Sequence, residues 1–490
     1  MRTLYRNALL LTLSTAAISA ALAGVPAQSV HAAGTALDWK PCAQPDGPAG
    51  QECAELSVPL DYREPDGKQV KLAVSRVRSD RPEARRGTLI VIPGGPGSPA
   101  VPRLTAKGKK LQGELKGAYD LVALDPRGLG GSDKAGCGLA DEDREMVNLR
   151  PWPGRNGDIS ENVARGRRIA DACARDGGPL VRSMSTANEV RDIERFRQAL
   201  GEEKLSAFAT SYGTYVAAQF AQKFPERTDR FVLDSNGDPD PSRVARGWAA
   251  NMSRAMEDRF PDFARWAADP ARGELRLARR AEDVRPMFLA LADRLDRHPR
   301  PTTTPGKPLT GNRLRQALQQ TLSGNDFTPL ATLIKAKKPA LPPHLAQPLP
   351  DEEVAVTIGT ICNDVRWPGS VRAYARDVAA DRARYPLTAG MPVGPFPCAF
   401  WKNAPADEPA RVTADGPSNI LMIQNLRDPS TPYFGALKMR EALGQRARLV
   451  TVDRGGHGVY LGNGNACGDA AVTGYLVTGK RPAADAYCAG

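Results

Sequence analysis

The stretch Leu205-Ser206-Ala207-Phe208-Ala209-Thr210-Ser211-Tyr212-Gly213-Thr214-Tyr215-Val216 sets a serine between two different periodicities. Leu205–Ala209 is short and apolar, as a buried strand requires. Beyond it, Val216, Phe220 and Phe224 recur every four residues, the stripe of an amphipathic helix. Ala209-Thr210-Ser211-Tyr212-Gly213 is thus a strand-to-helix turn and a close variant of G-x-S-x-G. In such a turn a strained backbone holds the serine hydroxyl exposed above the sheet, at a helix N-terminus. The small residues two before and two after Ser211 let strand and helix approach closely. A serine at such a junction is otherwise a helix cap, so the turn needs partners elsewhere in the chain before it means catalysis.

Working outward, strands and helices alternate through residues 68–235. Val70, Leu72 and Val74 alternate with other residues in Lys68–Val77, which suits an edge strand. Thr88–Ile92 and Leu121–Leu124 are continuous apolar runs, as buried parallel strands require. Phe231-Val232-Leu233 follows the helix after Ser211 and closes another βαβ unit. The texture changes at Asp238-Pro239-Asp240-Pro241, beyond which the chain reads as helical, charged and proline-rich to about residue 410. Strand character returns at Asn419–Gln424 and Ala447–Val452, and Asp469–Val477 reads as a helix with Gly479 as its C-cap. The expected fold is an α/β class with a mostly parallel sheet and a large, mainly helical cap insertion. Its expected divisions are a signal peptide over 1–32, core over 33–240, cap over 241–410 and core again over 411–490.

Arg2 and Arg6 precede the apolar run Ala8–Leu22, and Val30-His31-Ala32 resembles a signal-peptidase site, so export is expected. No later segment approaches the length of a membrane-spanning helix, so no membrane anchor is expected. The formal net charge is +12, but the basic residues are mixed with acids, with no basic-aromatic block of the kind that tracks nucleic acid. The eight cysteines lack zinc-ligand spacing, and neither a metal nor a cofactor is expected. Sequential pairing into Cys42–Cys53, Cys137–Cys173, Cys362–Cys398 and Cys467–Cys488 closes only short local loops and suits an oxidising compartment.

A nucleophilic serine needs a base, and beyond the expected signal peptide only His298, His344 and His457 are available. The first two lie in the polar insertion. His457 stands in Gly455-Gly456-His457-Gly458 after the strand ending at Val452, where ligand-facing groups of open α/β sheets collect. The acid that orients the imidazole is expected to be Asp428, in the loop after the strand Ile420–Gln424, which gives the order Ser211, Asp428, His457. Asp234, ending the strand Phe231–Leu233, is its rival, and Asp453 stands too near His457 in sequence. The N–H of Tyr212 is one candidate oxyanion donor. A second should come from Pro93-Gly94-Gly95-Pro96-Gly97; Pro96 has no N–H, so Gly95 is expected, with Gly94 next to it.

With these residues the chain resembles the secreted actinobacterial tripeptidyl aminopeptidases, relatives of prolyl iminopeptidase among the α/β-hydrolases. The resemblance spans about Leu37 to Cys488. It rests on Pro93–Gly97, Leu124-Asp125-Pro126-Arg127-Gly128, Ser211-Tyr212-Gly213-Thr214-Tyr215 and Asp428-Pro429-Ser430-Thr431-Pro432. Ala209, Ser98 and Asp234-Ser235-Asn236-Gly237 depart from the usual pattern. The resemblance implies a serine exopeptidase that releases short peptides, tripeptides above all, from substrates with free N-termini, using Ser211, Asp428 and His457; a monomer is expected. A carboxylate of the cap should then meet the substrate amine, with Asp351, Glu352, Glu353 and Asp364 as candidates. The competing expectation is a carboxylesterase or lactone hydrolase with the same three residues.

Overall fold

The computed structural model describes residues 37–43, 47–407 and 410–490; the signal peptide expected over 1–32 lies outside the described residues. One sheet contains β1 (Lys40–Pro41), β2 (Glu52–Pro59), β3 (Gln69–Val77), β4 (Gly87–Ile92), β5 (Tyr119–Leu124), β6 (Leu205–Thr210), β7 (Thr228–Asp234), β8 (Ile420–Arg427), β9 (Ala447–Gly455) and β10 (Ala486–Cys488). Their spatial order is β1-β2-β3-β5-β4-β6-β7-β8-β9-β10. From β1 to β5 the neighbours pair antiparallel, and from β5 through β4 to β10 they pair parallel. The chain leaves β4 for β5 on one side and returns as β6 on the other. Between β4 and β6 lies the switch in strand order where open α/β sheets form their ligand crevice.

Alternate residues of each strand serve opposite faces. Leu89, Val91, Leu121 and Val232 pack with the helices Ala100–Leu115 and Ala466–Thr478. Ile90, Ile92, Val122 and Leu233 pack on the other face, with the helices Thr186–Ala199, Tyr212–Lys223 and Tyr433–Leu443. Two expectations are corrected here. Lys68–Val77 is not an edge strand: β3 pairs with β2 on one side and β5 on the other. Its alternation comes from antiparallel strands with one face on the core, which leave the same signature as an edge. The helix after Ser211 is not amphipathic in burial, since every residue from Tyr212 to Ala221 is buried, Thr214 and Gln219 included. The helix Thr186–Ala199 packs beside it, Trp248 lies against Tyr212 and Tyr215, and Gln219 donates to the Ala410 carbonyl.

The insertion between β7 and β8 has two parts. The helices Arg246–Ala268, Ala281–Arg297, Gly311–Leu322 and Thr328–Lys335 pack on one another around Phe260, Phe263, Phe288 and Leu318. The later helix Asp351–Asp364 and the turn Pro397–Phe400 instead bury Val354, Ile358, Cys362 and Cys398 in the core cluster of the sheet. Four disulfides join Cys42–Cys53, Cys137–Cys173, Cys362–Cys398 and Cys467–Cys488, and no described cysteine is free. Each closes a short loop, worth about 2–4 kcal/mol. Cys362–Cys398 fastens the helix of the insertion that faces the crevice. Among the described residues no helix is long and apolar enough to cross a membrane.

Candidate active site

Ser211 occupies the turn between β6 and the helix Tyr212–Lys223 with φ 61° and ψ −128°, a strained conformation for a residue with a side chain. Its N–H donates to the Asp234 carbonyl at 2.9 Å, and its own carbonyl accepts the Thr214 hydroxyl at 2.6 Å. The turn closes this tightly because of Gly213. A Cβ there would lie 2.5 Å from the carbonyl oxygens of both Ile92 and Pro93, so only glycine lets the helix rest against the end of β4. Gly94 is equally constrained, since a Cβ would stand 2.6 Å from the Cβ of Ser211. The N–H of Tyr212, in the first turn, has no intrahelical acceptor. Gly95, with φ 119°, borders the same space.

His457 follows β9, and its Nδ1 lies 2.9 Å and 3.1 Å from the two carboxylate oxygens of Asp428. Asp428 is 2% exposed. Its Oδ1 accepts the N–H groups of Ser430 and Thr431, and its Oδ2 accepts the Thr431 hydroxyl at 3.1 Å. The rival acid does something else. Asp234 accepts the backbone N–H groups of Val459 and Tyr460 at 2.9–3.0 Å, fixing the loop beyond the histidine. Asn425 holds the same loop from β8 by donating to the carbonyls of Gly456 and Gly458, and the Ser235 hydroxyl accepts the Gly458 N–H. From the insertion, the Ser323 carbonyl accepts the His457 N–H at 2.8 Å. Asp453 pairs with Arg427 and is turned away from the ring.

Burial draws the His457 imidazole down, but the charge and hydrogen bond of Asp428 more than offset it, and its pKa stands above the ordinary 6.5. Burial lifts the Asp234 carboxyl to about 6, against the opposing hydrogen bonds from Tyr460 and Val459. Ser211 and His457 line one cavity of about 420 Å³ with Gly94, Gly95 and Asp234. No hydrogen bond joins the Ser211 hydroxyl to the imidazole, a contact that in serine hydrolases often tightens only when substrate is bound.

A second cavity, of about 320 Å³, opens from the Gly95–Ser98 loop beneath the insertion. Trp248, Met252, Ile358 and Trp367 make it apolar, and Arg150 and Glu353 are its charged groups. Of the four acids expected to meet a substrate amine, Glu353 alone lines a cavity next to the Gly95–Ser98 loop. Asp364 is buried, with both oxygens taken by the N–H and hydroxyl of Thr186. Asp351 accepts the N–H groups of Cys137, Gly138 and Leu139, and Glu352 pairs with Lys134. The three lie on one exposed-looking acidic run, Asp351-Glu352-Glu353, and sequence alone does not say which way each points. Burial and the neighbouring Glu352 raise the pKa of Glu353. Two further residues of the site are Asn425, whose only sequence signal is a polar side chain at the end of an apolar strand, and Ser323, which carries none.

Residues 386–488 match the model of a family described as TAP-like protein. A tripeptidyl aminopeptidase of Streptomyces lividans is 32% identical, over 95% of this chain and 89% of its own. The serine protease Hip1 of Mycobacterium tuberculosis is 26% identical, over 93% of this chain and 91% of its own. A protein of the same species named carboxylesterase B is 28% identical, over 89% and 86%.

Proposed function

Because the chain belongs to the tripeptidyl aminopeptidase family of α/β-hydrolases, we propose that it is a secreted serine exopeptidase releasing short peptides, tripeptides foremost, from free N-termini. One observation carries the reading: Ser211, the Gly94–Gly95 loop and an imidazole already paired with Asp428 border a single cavity. Ser211 Oγ attacks the scissile carbonyl while His457 takes its proton, and buried Asp428 stabilises the imidazolium. The developing oxyanion meets the N–H groups of Tyr212 and Gly95. His457 returns the proton to the departing amine, and water then releases the acyl peptide by the reverse route. Glu353, in the second cavity, supplies the countercharge for the substrate α-ammonium, and the apolar walls receive the side chains of the released peptide.

The expected signal segment together with four disulfides supports an extracellular location. The likeness to a protein named carboxylesterase B keeps ester hydrolysis as the second reading. A tripeptide anilide with a free N-terminus, its N-acetyl form and a short-chain nitrophenyl ester separate the two. The exopeptidase reading predicts rapid cleavage of the free peptide and a loss of at least about tenfold on acetylation, as one charge pair is removed. Equal rates on the free and blocked peptides would refute it, and ester turnover without peptide turnover would favour the esterase.

A further inference from the structure

The cavity at Ser211 does not end at the catalytic groups. Its far wall is one face of the helix Ala100–Leu115, where Arg103, Lys107 and Lys110 follow one another at intervals of four and three residues. Cations at this spacing stand side by side and repel one another, a local cost to the helix. Lys110 donates to the carbonyl of Leu461 at 3.1 Å. Arg103, half-buried, and Lys107 have no carboxylate within ion-pair distance among the described residues, whereas Arg427 is held between Asp262 and Asp453. The one acid in the lining, Asp234, has its oxygens occupied by Val459, Tyr460 and Ser235. Burial lowers the pKa of both Arg103 and Lys107, with Arg103 and Lys110 adding to the effect on Lys107 and the charge of Asp234 opposing it on both.

Which part of a substrate enters this space follows from the proton transfer. His457 must reach the departing amine, so the leaving group lies on the histidine side of Ser211. This cavity is lined by His457 and by Gly458, Tyr460 and Leu461 of its loop, and the cavity beneath the insertion by none of them. Resting on the exopeptidase reading above, we infer that Arg103, Lys107 and Lys110 form a leaving-group subsite for a carboxylate, so that the enzyme prefers peptides with a negative charge just beyond the scissile bond. The carboxylate is supplied either by the free C-terminus of a short peptide or by an acidic side chain on the residue just beyond the scissile bond. With an acid in the cap for the ammonium and bases on this helix for the carboxylate, the two ends of an oligopeptide are read by opposite charges on either side of Ser211.

The test compares kcat/KM for tetra-alanine bearing a free C-terminal carboxylate with that for its C-terminal amide, tripeptide release being followed by chromatography. A second pair, tri-alanyl-aspartate amide and tri-alanyl-asparagine amide, distinguishes a side-chain carboxylate from a terminal one. The charged member of at least one pair is expected to be favoured roughly tenfold. The preference should shrink as salt is raised and collapse towards unity in Arg103→Gln and in Lys107→Gln. Each ratio compares two substrates on one protein preparation, so partial misfolding does not alter it, and Lys107 is an exposed position should Arg103→Gln fail to fold. Equal rates within both pairs for the unaltered enzyme, or a preference that survives both substitutions, overturns the subsite. Cleavage of a free tripeptide anilide alongside equal rates leaves the exopeptidase reading standing, whereas no turnover of anilide or peptides removes both.

Discussion

Asp428 meets the Nδ1 side of His457 at 2.9 Å, while Asp234 takes the backbone N–H groups two and three residues further on. Sequence order favoured the first as the orienting acid but left the second open, because both end strands at the same rim of the sheet. Their side-chain contacts differ, and the proposed roles differ with them. Asp428→Asn keeps the shape and loses the charge, and kcat should fall by about 10⁴ with little change in Tm. Asp234→Asn puts an amide where several N–H and O–H donors converge; it should lower Tm by a few degrees and kcat only about tenfold. Calorimetry and steady-state kinetics on the two variants check this, and the reverse pattern would exchange the roles. The pH dependence follows from the same pair. A general base must be neutral, and a raised pKa keeps His457 protonated to higher pH. Activity should therefore rise with pH through a limb centred above 6.5, and a pH profile of Asp428→Asn should show that limb moved to lower pH.

At the scale of elements, the site is a consequence of how closely the helix Tyr212–Lys223 seats against β4 and β6. Ala209-Thr210-Ser211-Tyr212-Gly213 announced the turn because each small residue answers a close approach, and Gly213 answers the closest. Gly213→Ala pushes a methyl group into the carbonyls of Ile92 and Pro93. The helix must move off the sheet, carrying the Tyr212 N–H away from Gly95. Overpacking of this kind costs about 1–3 kcal/mol, and kcat/KM should drop by about 10² as a displaced oxyanion donor requires. Thermal unfolding and anilide kinetics read the two effects together. The parallel strands β4 to β9 were legible because their continuous apolar runs are buried on both faces. β1, β2, β10 and the inner position of β3 were not: β1 and β10 are too short to show a period, β2 is buried mainly in its second half, and an alternating pattern does not tell an edge from a half-covered interior strand.

Across the whole molecule, the sheet carries Ser211, Asp428 and His457 at its rim, and under the proposed function the insertion governs what reaches them. Thr357 of the helix Asp351–Asp364 donates to the Pro96 carbonyl at 2.8 Å, and Ser323 accepts from the His457 backbone, so the insertion touches both loops that flank Ser211. The helical character of the segment between β7 and β8 was readable from its change of texture. Which of its acids faces inward was not, since Asp351, Glu352 and Glu353 are consecutive and their directions depend on packing against Cys137, Lys134 and the Gly95–Ser98 loop. The cations of the helix Ala100–Leu115 were not legible as a site for a related reason: Lys107–Lys110 reads as a solvated basic cluster until the fold turns one side of it toward Ser211. The most direct measurement is covalent labelling of the intact enzyme with a fluorophosphonate, located by peptide mass mapping. The account predicts a single adduct on Ser211, absent from Ser211→Ala and strongly slowed in His457→Ala. A label on another residue, or an active enzyme left unlabelled at Ser211, would contradict it.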